Sequence, residues 1–176
     1  MVTGISAIGG LIIFLFTLTT KYYQPDIAFA SLIFSGACLG FLIFNFHPAK
    51  IFLGDGGSLL LGFLLGVLAI ISGGKIAIAL LVLGIPIMDA AWVIARRLLN
   101  KKSPFQSSDK LHLHHRLLAL GIGQTKTVLI YYILALSFGL VALFLQSKGK
   151  VFALIVLVLV MLGFIIFLNK QNKNAN

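Results

Sequence analysis

Acidic residues are nearly absent from this chain of 176 residues: there are four, all aspartates, against fourteen Lys and Arg. Charged residues make up 10% of the whole, far below the quarter usual in soluble domains, and the mean hydropathy is +1.09. A water-soluble globular domain is excluded on these grounds. The single cysteine, Cys38, lies inside an apolar run, so no internal disulfide and no cysteine metal cluster can form, and the residue reads as core. No basic residue precedes Lys21, so the opening apolar run is expected to be a span and not a cleavable signal peptide, which would carry a charged n-region. Strict polar and apolar alternation is missing too, and with it the signature of a membrane β-barrel.

What remains is long unbroken apolar sequence, such as "LLLGFLLGVLAII" and "VFALIVLVLVMLGFIIFL". Roughly 20 apolar residues cross a bilayer as a helix, and helices satisfy their own backbone polar groups there. The expected fold is therefore all-α, a polytopic membrane helix bundle forming a single domain over 1–176. About six spans are expected, near 3–20, 27–44, 58–72, 76–94, 127–145 and 151–168. One long connection, 95–126, separates the fourth from the fifth. The +10 net charge does not point to nucleic acid, because the basic residues are scattered between spans and no soluble basic domain carries them. They orient the chain instead. Ten of the fourteen fall on the side holding 45–57, 95–126 and the C-terminal tail, which the positive-inside rule makes cytoplasmic.

The polar chemistry collects on that same side. His47, His112, His114, His115 and three of the four aspartates lie on or near it, and only Asp26 is opposite. In "NFHPAKIFLGDGGSLLLG", Pro48 biases His47 away from helix and Ser58 is placed to cap the third span. Asp55 sits among glycines just before that helix. It is either a turn residue, as Asp-Gly often is, or a carboxylate presented with a helix N-terminus for a divalent cation and phosphate. Mg²⁺ suits the second case, since it is commonly held by one or two carboxylates plus substrate phosphates and water. No P-loop pattern is present.

Within 95–126, "RRLLNKK" flanks a span and reads first as a topology signal. "SSDKLHLHHRLLALG" reads as a short amphipathic helix, capped by Ser107 or Ser108 with Asp109 in its first turn and ending near Gly121. Helical spacing puts His112 and His115 on one face with Arg116 beside His112, and turns His114 elsewhere. Such a helix is either an exposed polar surface or a contact for phosphate. Zinc is disfavoured, with no cysteine nearby and no H-E-x-x-H pattern. Asp89, in "GIPIMDAAWVIARR", is an ionisable residue inside a span and so either functional or a helix-packing carboxyl, and Pro86 should loosen its helix. Gly36 with Gly40 and Gly62 with Gly66 have the small-xxx-small spacing of close helix packing.

Three stretches, "NFHPAKIFLGDGGSLLLG", "GIPIMDAAWVIARRLLNKKSPFQSSDKLHLHHRLLALG" and the opening "MVTGISAIGG", resemble the polyprenyl-phosphate N-acetylhexosamine-1-phosphate transferases, glycosyltransferase family 4. The "HLHH" run followed by Arg116 is similar to the branch using UDP-N-acetylglucosamine rather than the muramoyl-pentapeptide branch. The resemblance implies transfer of a sugar-1-phosphate from a UDP-N-acetylhexosamine to undecaprenyl phosphate in the bacterial plasma membrane, releasing UMP. Mg²⁺, replaceable by Mn²⁺, would be required. By position it implies Asp55 as the metal ligand, Asp55, His112, His114 and His115 as catalytic, and Lys50 and Arg116 as substrate-binding. The family's Asp-Asp motif and its N-x-x-N-x-x-D-G segment have no counterpart here, so the chain resembles a C-terminal half with Met1 as an internal methionine. Weak or absent activity alone is expected, with a complementing N-terminal half or a homodimer as partner. The alternative class is a non-catalytic membrane partner or small transporter subunit, in which Asp89 and the glycine faces serve packing.

Overall fold

The computed structural model describes residues 1–19, 23–72, 76–99, 112–119, 121–145 and 147–174, with side chains omitted at 76, 147–148 and 164–174. Seven helices make up the described chain: α1 Val2–Thr19, α2 Pro25–Asn45, α3 Gly54–Ile71, α4 Ile76–Leu99, α5 Leu113–Ala119, α6 Gln124–Phe144 and α7 Ser147–Asn174. No strand occurs among the described residues. Five helices, α1 to α4 and α6, are long and apolar enough to cross a membrane, and α7 contributes a shorter described apolar stretch, Gly149–Gly163. The chain is a polytopic membrane helix bundle, as its hydropathy requires.

Sequence chemistry accounts for the boundaries. Pro25 opens α2, where its missing N–H costs nothing, and Asp26 sits in that first turn near the positive end of the helix dipole. Pro86 lies inside α4 without ending it, so the helix runs on to Arg96 and Arg97 in its last turn. Gly121, at φ +80°, turns the chain after α5 and donates its N–H to the Leu118 carbonyl.

Helix α1 is the wedge of the bundle. One side packs Ile5, Ile12 and Phe16 into a core with Ile78, Leu81 and Ile85 of α4, Tyr131 of α6 and Leu157 of α7. Its other side packs Ala7 and Ile13 against Phe34 and Cys38 of α2 and Leu65 and Ala69 of α3. Cys38 is buried, as expected. Close approach of α1 and α2 depends on Gly10, where an added Cβ would stand 3.0 Å from a Phe34 ring carbon and 3.1 Å from the Ser31 carbonyl oxygen. Beside it the Ser35 hydroxyl donates to the Ala7 carbonyl across the interface at 2.8 Å. Such a bond inside a membrane bundle contributes about 0.6 kcal/mol.

The glycine spacing is therefore realised elsewhere than expected. Nothing lies within 4 Å of a Cβ built at Gly36, Gly40, Gly62 or Gly66. The reason is rotational: α2 buries Ala28, Ser31, Phe34, Ser35 and Cys38 on one stripe, and Gly36 and Gly40 fall outside it. Helix α3 buries only Leu65 and Ala69, so Gly62 and Gly66 face away from its neighbours as well.

Candidate functional site

Connectivity brings one set of helix ends together. The 46–53 loop joins the end of α2 to the start of α3, and α4 returns antiparallel, so Asn45, Gly54 and Leu99 share one end of the bundle. The start of α1 joins them through a bond from the Thr3 hydroxyl to Asn45 Oδ1 at 3.2 Å. The start of α6 is there too, since a cavity of about 50 Å³ is lined by Met1, Asn45, His47, Gln124, Thr125 and Tyr132.

Asn45 controls the loop that leads to Asp55. While its Oδ1 accepts from Thr3, its Nδ2 donates to the Ile51 carbonyl at 2.9 Å. The backbone N–H groups of Lys50 and Ile51 both reach back to the Phe44 carbonyl, at 2.8 and 3.3 Å. The chain then turns at Gly54, whose φ of +68° favours glycine, and enters α3. Asp55 therefore lies in the first turn of α3 and not in the loop before it. Ser58 is not the cap that the sequence suggested. The helix starts four residues earlier, at Gly54, and the Ser58 hydroxyl donates to the Asp55 carbonyl at 2.8 Å. Gly57, in the same first turn, lies against the Leu53 side chain, whose Cδ1 would stand 2.7 Å from an added Cβ.

Asp55 and Lys50 are exposed. Among the described residues no hydrogen bond or ion pair engages the Asp55 carboxylate, and no three His, Cys, Asp or Glu side chains gather as a metal site. An outward carboxylate at the positive end of a helix fits one ligand position of a hydrated Mg²⁺, whose other positions are filled by water and substrate phosphates.

The histidines form a second group. Helix α5 has seven residues, too few to persist alone in water, and it is held by burial of Leu113 and Leu117 in the core that contains Tyr131. Its first amide is held by Asp89. Asp89 Oδ1 accepts the Leu113 N–H at 2.7 Å, and Oδ2 faces His112 Nδ1 at 3.3 Å. Asp89 is 4% exposed, and this contact gives a buried membrane carboxylate its partners. His112 precedes α5, and its carbonyl accepts the N–H groups of His115 and Arg116. The capping serines and Asp109 proposed from sequence lie outside the described residues.

His114 does not turn away from the other two. Its ring is stacked 5.7 Å from that of His112 and lies tilted, 4.1 Å from that of His115, so the three imidazoles form one cluster. Helical spacing missed this because His112 is not yet in the helix, and its ring is pulled towards Asp89. Burial first, and the neighbouring His115 next, hold the His114 imidazole below its ordinary pKa, with Asp89 opposing. His114 Nδ1 is buried without a hydrogen-bond partner. Arg116 is 5% exposed, and burial together with Arg96 lowers its guanidinium from the ordinary value. It projects into the protein rather than across the surface.

The structure thus joins His112, His114 and His115, keeps Arg116 beneath them, and leaves Asp55 and Lys50 on a separate loop and helix at the same end. No hydrogen bond or ion pair links Asp55 to the histidines. Sequence reading missed Thr3 and Asn45 altogether, although Asn45 opens the very stretch that was singled out.

Residues 1–73 match the family model described as glycosyl transferase family 4. Over 123 residues the chain is 43% identical to a probable undecaprenyl-phosphate N-acetylglucosaminyl 1-phosphate transferase of Bacillus subtilis, covering 66% of this chain and 34% of that protein. It is 39% identical over 137 residues to an undecaprenyl-phosphate alpha-N-acetylglucosaminyl 1-phosphate transferase of Thermotoga maritima, covering 77% and 46%. It is also 34% identical over 127 residues to a phospho-N-acetylmuramoyl-pentapeptide-transferase of Moorella thermoacetica, covering 70% and 39%. The chain spans between a third and a half of the length of these relatives. No solved structure matches it.

Proposed function

The chain belongs to glycosyl transferase family 4, and on that premise we propose that it takes part in moving N-acetylhexosamine-1-phosphate from a UDP-sugar to undecaprenyl phosphate, with release of UMP. N-acetylglucosamine is the favoured sugar, and the step is the first membrane step of a cell-wall or surface polysaccharide. The supporting observation is the collection at one end of the bundle of a carboxylate, Asp55, unpaired among the described residues, and a cluster of three imidazoles beside a buried arginine. The excess of basic residues on that side supports a cytoplasmic site in the bacterial plasma membrane. A complementing N-terminal half, or a second copy, is the proposed protein partner.

In this reading an oxygen of the lipid phosphate attacks the sugar-bearing phosphorus, the new P–O bond forms, and the bond to UMP breaks. Little covalent chemistry falls to the protein in such a transfer. Positioning and neutralising charge carry it. Asp55 holds Mg²⁺, replaceable by Mn²⁺, and when bound the ion neutralises phosphate charge. Lys50, outward on the Asp55 loop, adds a cation to bind the substrate. His115, exposed, and His112, half-buried, meet the diphosphate or its sugar. His114 completes the cluster behind them, and Arg116 supplies positive charge from beneath.

The test is UMP release in membranes holding this chain with the N-terminal part of a full-length relative. Release should require UDP-N-acetylglucosamine, undecaprenyl phosphate and Mg²⁺. Asp55→Asn should lower it on the order of a hundredfold or more, and without unfolding, since among the described residues its carboxylate has no structural partner to lose. Equal activity of that variant would remove the metal assignment, and no release with any UDP-N-acetylhexosamine would remove the function.

A further inference from the structure

The family premise assigns nothing to Asp89, yet Asp89 is the best-connected acidic side chain described here. It sits in α4, three residues after Pro86, with its side chain 6% exposed, and it binds two groups of another element at once. Oδ1 takes the Leu113 amide at 2.7 Å, and Oδ2 takes the His112 ring at Nδ1 at 3.3 Å. A backbone amide alone would satisfy a simple helix cap. The second contact is directed at an imidazole whose side chain is still 37% exposed.

A carboxylate offers only lone pairs, so the nitrogen it faces carries the proton. In the neutral imidazole that proton is the only one, and it sits on Nδ1. Nε2 then keeps a lone pair. We infer that Asp89 is a positioning residue that fixes His112 as the Nδ1–H tautomer and so makes Nε2 the hydrogen-bond acceptor presented to the substrate. This rests on the proposed function and sharpens it, because an acceptor nitrogen selects a hydrogen-bond donor and not a bare phosphate oxygen. Both substrates carry one: the UDP-sugar in its hydroxyls and acetamido N–H, and the lipid in a protonated oxygen of its phosphate. The charges around the pair are those of His114 and His115 on the same segment, Arg116 below, and Arg96 on α4. Tyr131 of α6 is the further titratable group near Asp89.

The discriminating variant is Asp89→Asn. Its carbonyl can still accept the Leu113 N–H, so α5 stays seated, while its NH₂ now donates to Nδ1 and forces the proton to Nε2. ¹⁵N-histidine NMR of the whole chain in nanodiscs at pH 8 reads the tautomer directly and needs no turnover. Wild type should show Nδ1–H for His112 and Asp89→Asn should show Nε2–H, with the Leu113 amide equally protected in both. In the complemented enzyme Asp89→Asn should lose about ten- to a hundredfold in activity, the usual effect of removing such a supporting partner. A raised KM for the UDP-sugar places the donor on that sugar, and a raised KM for the lipid identifies the phosphate. Wild type with Nε2–H, or a tautomer unchanged in Asp89→Asn, overturns the inference. If the tautomers switch as stated but no protein transfers sugar phosphate, the function fails and the positioning role of Asp89 stands.

Discussion

Asn45 is one side chain holding two elements, and its removal has a magnitude that follows from its bonds. Asn45→Ala deletes the acceptor of the Thr3 hydroxyl and the donor to the Ile51 carbonyl. A neutral hydrogen bond contributes about 0.5–1.5 kcal/mol net, and the Ile51 bond is exposed, so its share is at the low end. Together they hold the 46–53 loop by about 1.5–2 kcal/mol, or about ten- to thirtyfold in the population with the loop in place. Thr3→Val deletes one bond and should cost about 1 kcal/mol, close to fivefold. The readout is amide hydrogen exchange at Lys50 and Ile51, whose N–H groups bond the Phe44 carbonyl and are released only when the loop opens. Exchange should speed up in that ratio, more for Asn45→Ala than for Thr3→Val, with α1 and α6 unaffected. If both variants exchange within twofold of wild type, or if Thr3→Val equals Asn45→Ala, the loop is not held by this side chain. The same order should appear in transfer activity, because the loop ends at Gly54 and sets where Asp55 begins.

The two classes of glycine separate cleanly by substitution. Gly10→Leu should destabilise by about 1–3 kcal/mol through overpacking against Phe34 and Ser31, whereas Gly36→Leu, with open space around its Cβ, should stay within about 0.5 kcal/mol in a detergent melt. Leu117→Ala, in the core at 1% exposed, should free α5 to protease at a cost of about 2–5 kcal/mol, and Leu118→Ala, on the open side, should not. The depressed His114 gives a pH dependence of known sign. Above about pH 6.5, the ordinary imidazole value, seated and released α5 are both neutral at His114 and nothing is lost. Below it the released form takes up a proton that the seated form resists, so seating weakens as pH falls towards the depressed value. Amide protection of α5 between pH 7.5 and 5.5 should fall more in wild type than in His114→Gln.

Hydropathy made the spans legible because burial in a bilayer is decided by composition over some twenty residues, which local detail does not alter. The register of glycines was not legible, since Gly36 and Gly10 are chemically alike and only the rotation of each one's own helix, α2 or α1, decides whether it meets a neighbour. Asp55 was found from its glycines, yet the helix starts at Gly54, four residues before the serine that the capping pattern singled out, and the Ser58 hydroxyl bonds the Asp55 carbonyl inside the helix. The histidine run was found as a run. Its clustering depended on Asp89, twenty-three residues earlier, and a contact across that distance leaves no periodic trace in sequence. Asn45 was overlooked for a similar reason: asparagine at a helix end usually serves its own backbone, and here one of its two bonds crosses to α1.

Helix α3 has eighteen residues and is about 27 Å long, a little shorter than a hydrocarbon core of about 30 Å, whereas α4 has twenty-four and reaches about 36 Å. Leu59, Phe63 and Ile70 of α3 lie on the outside of the bundle, so its vertical position answers to the lipid as much as to the protein. Asp55 rides on the end of that short helix, while the histidines are fastened to the long one. A bilayer of ordinary thickness therefore mismatches the two helices in opposite senses, a short helix being met by local thinning of the bilayer and a long one by tilt.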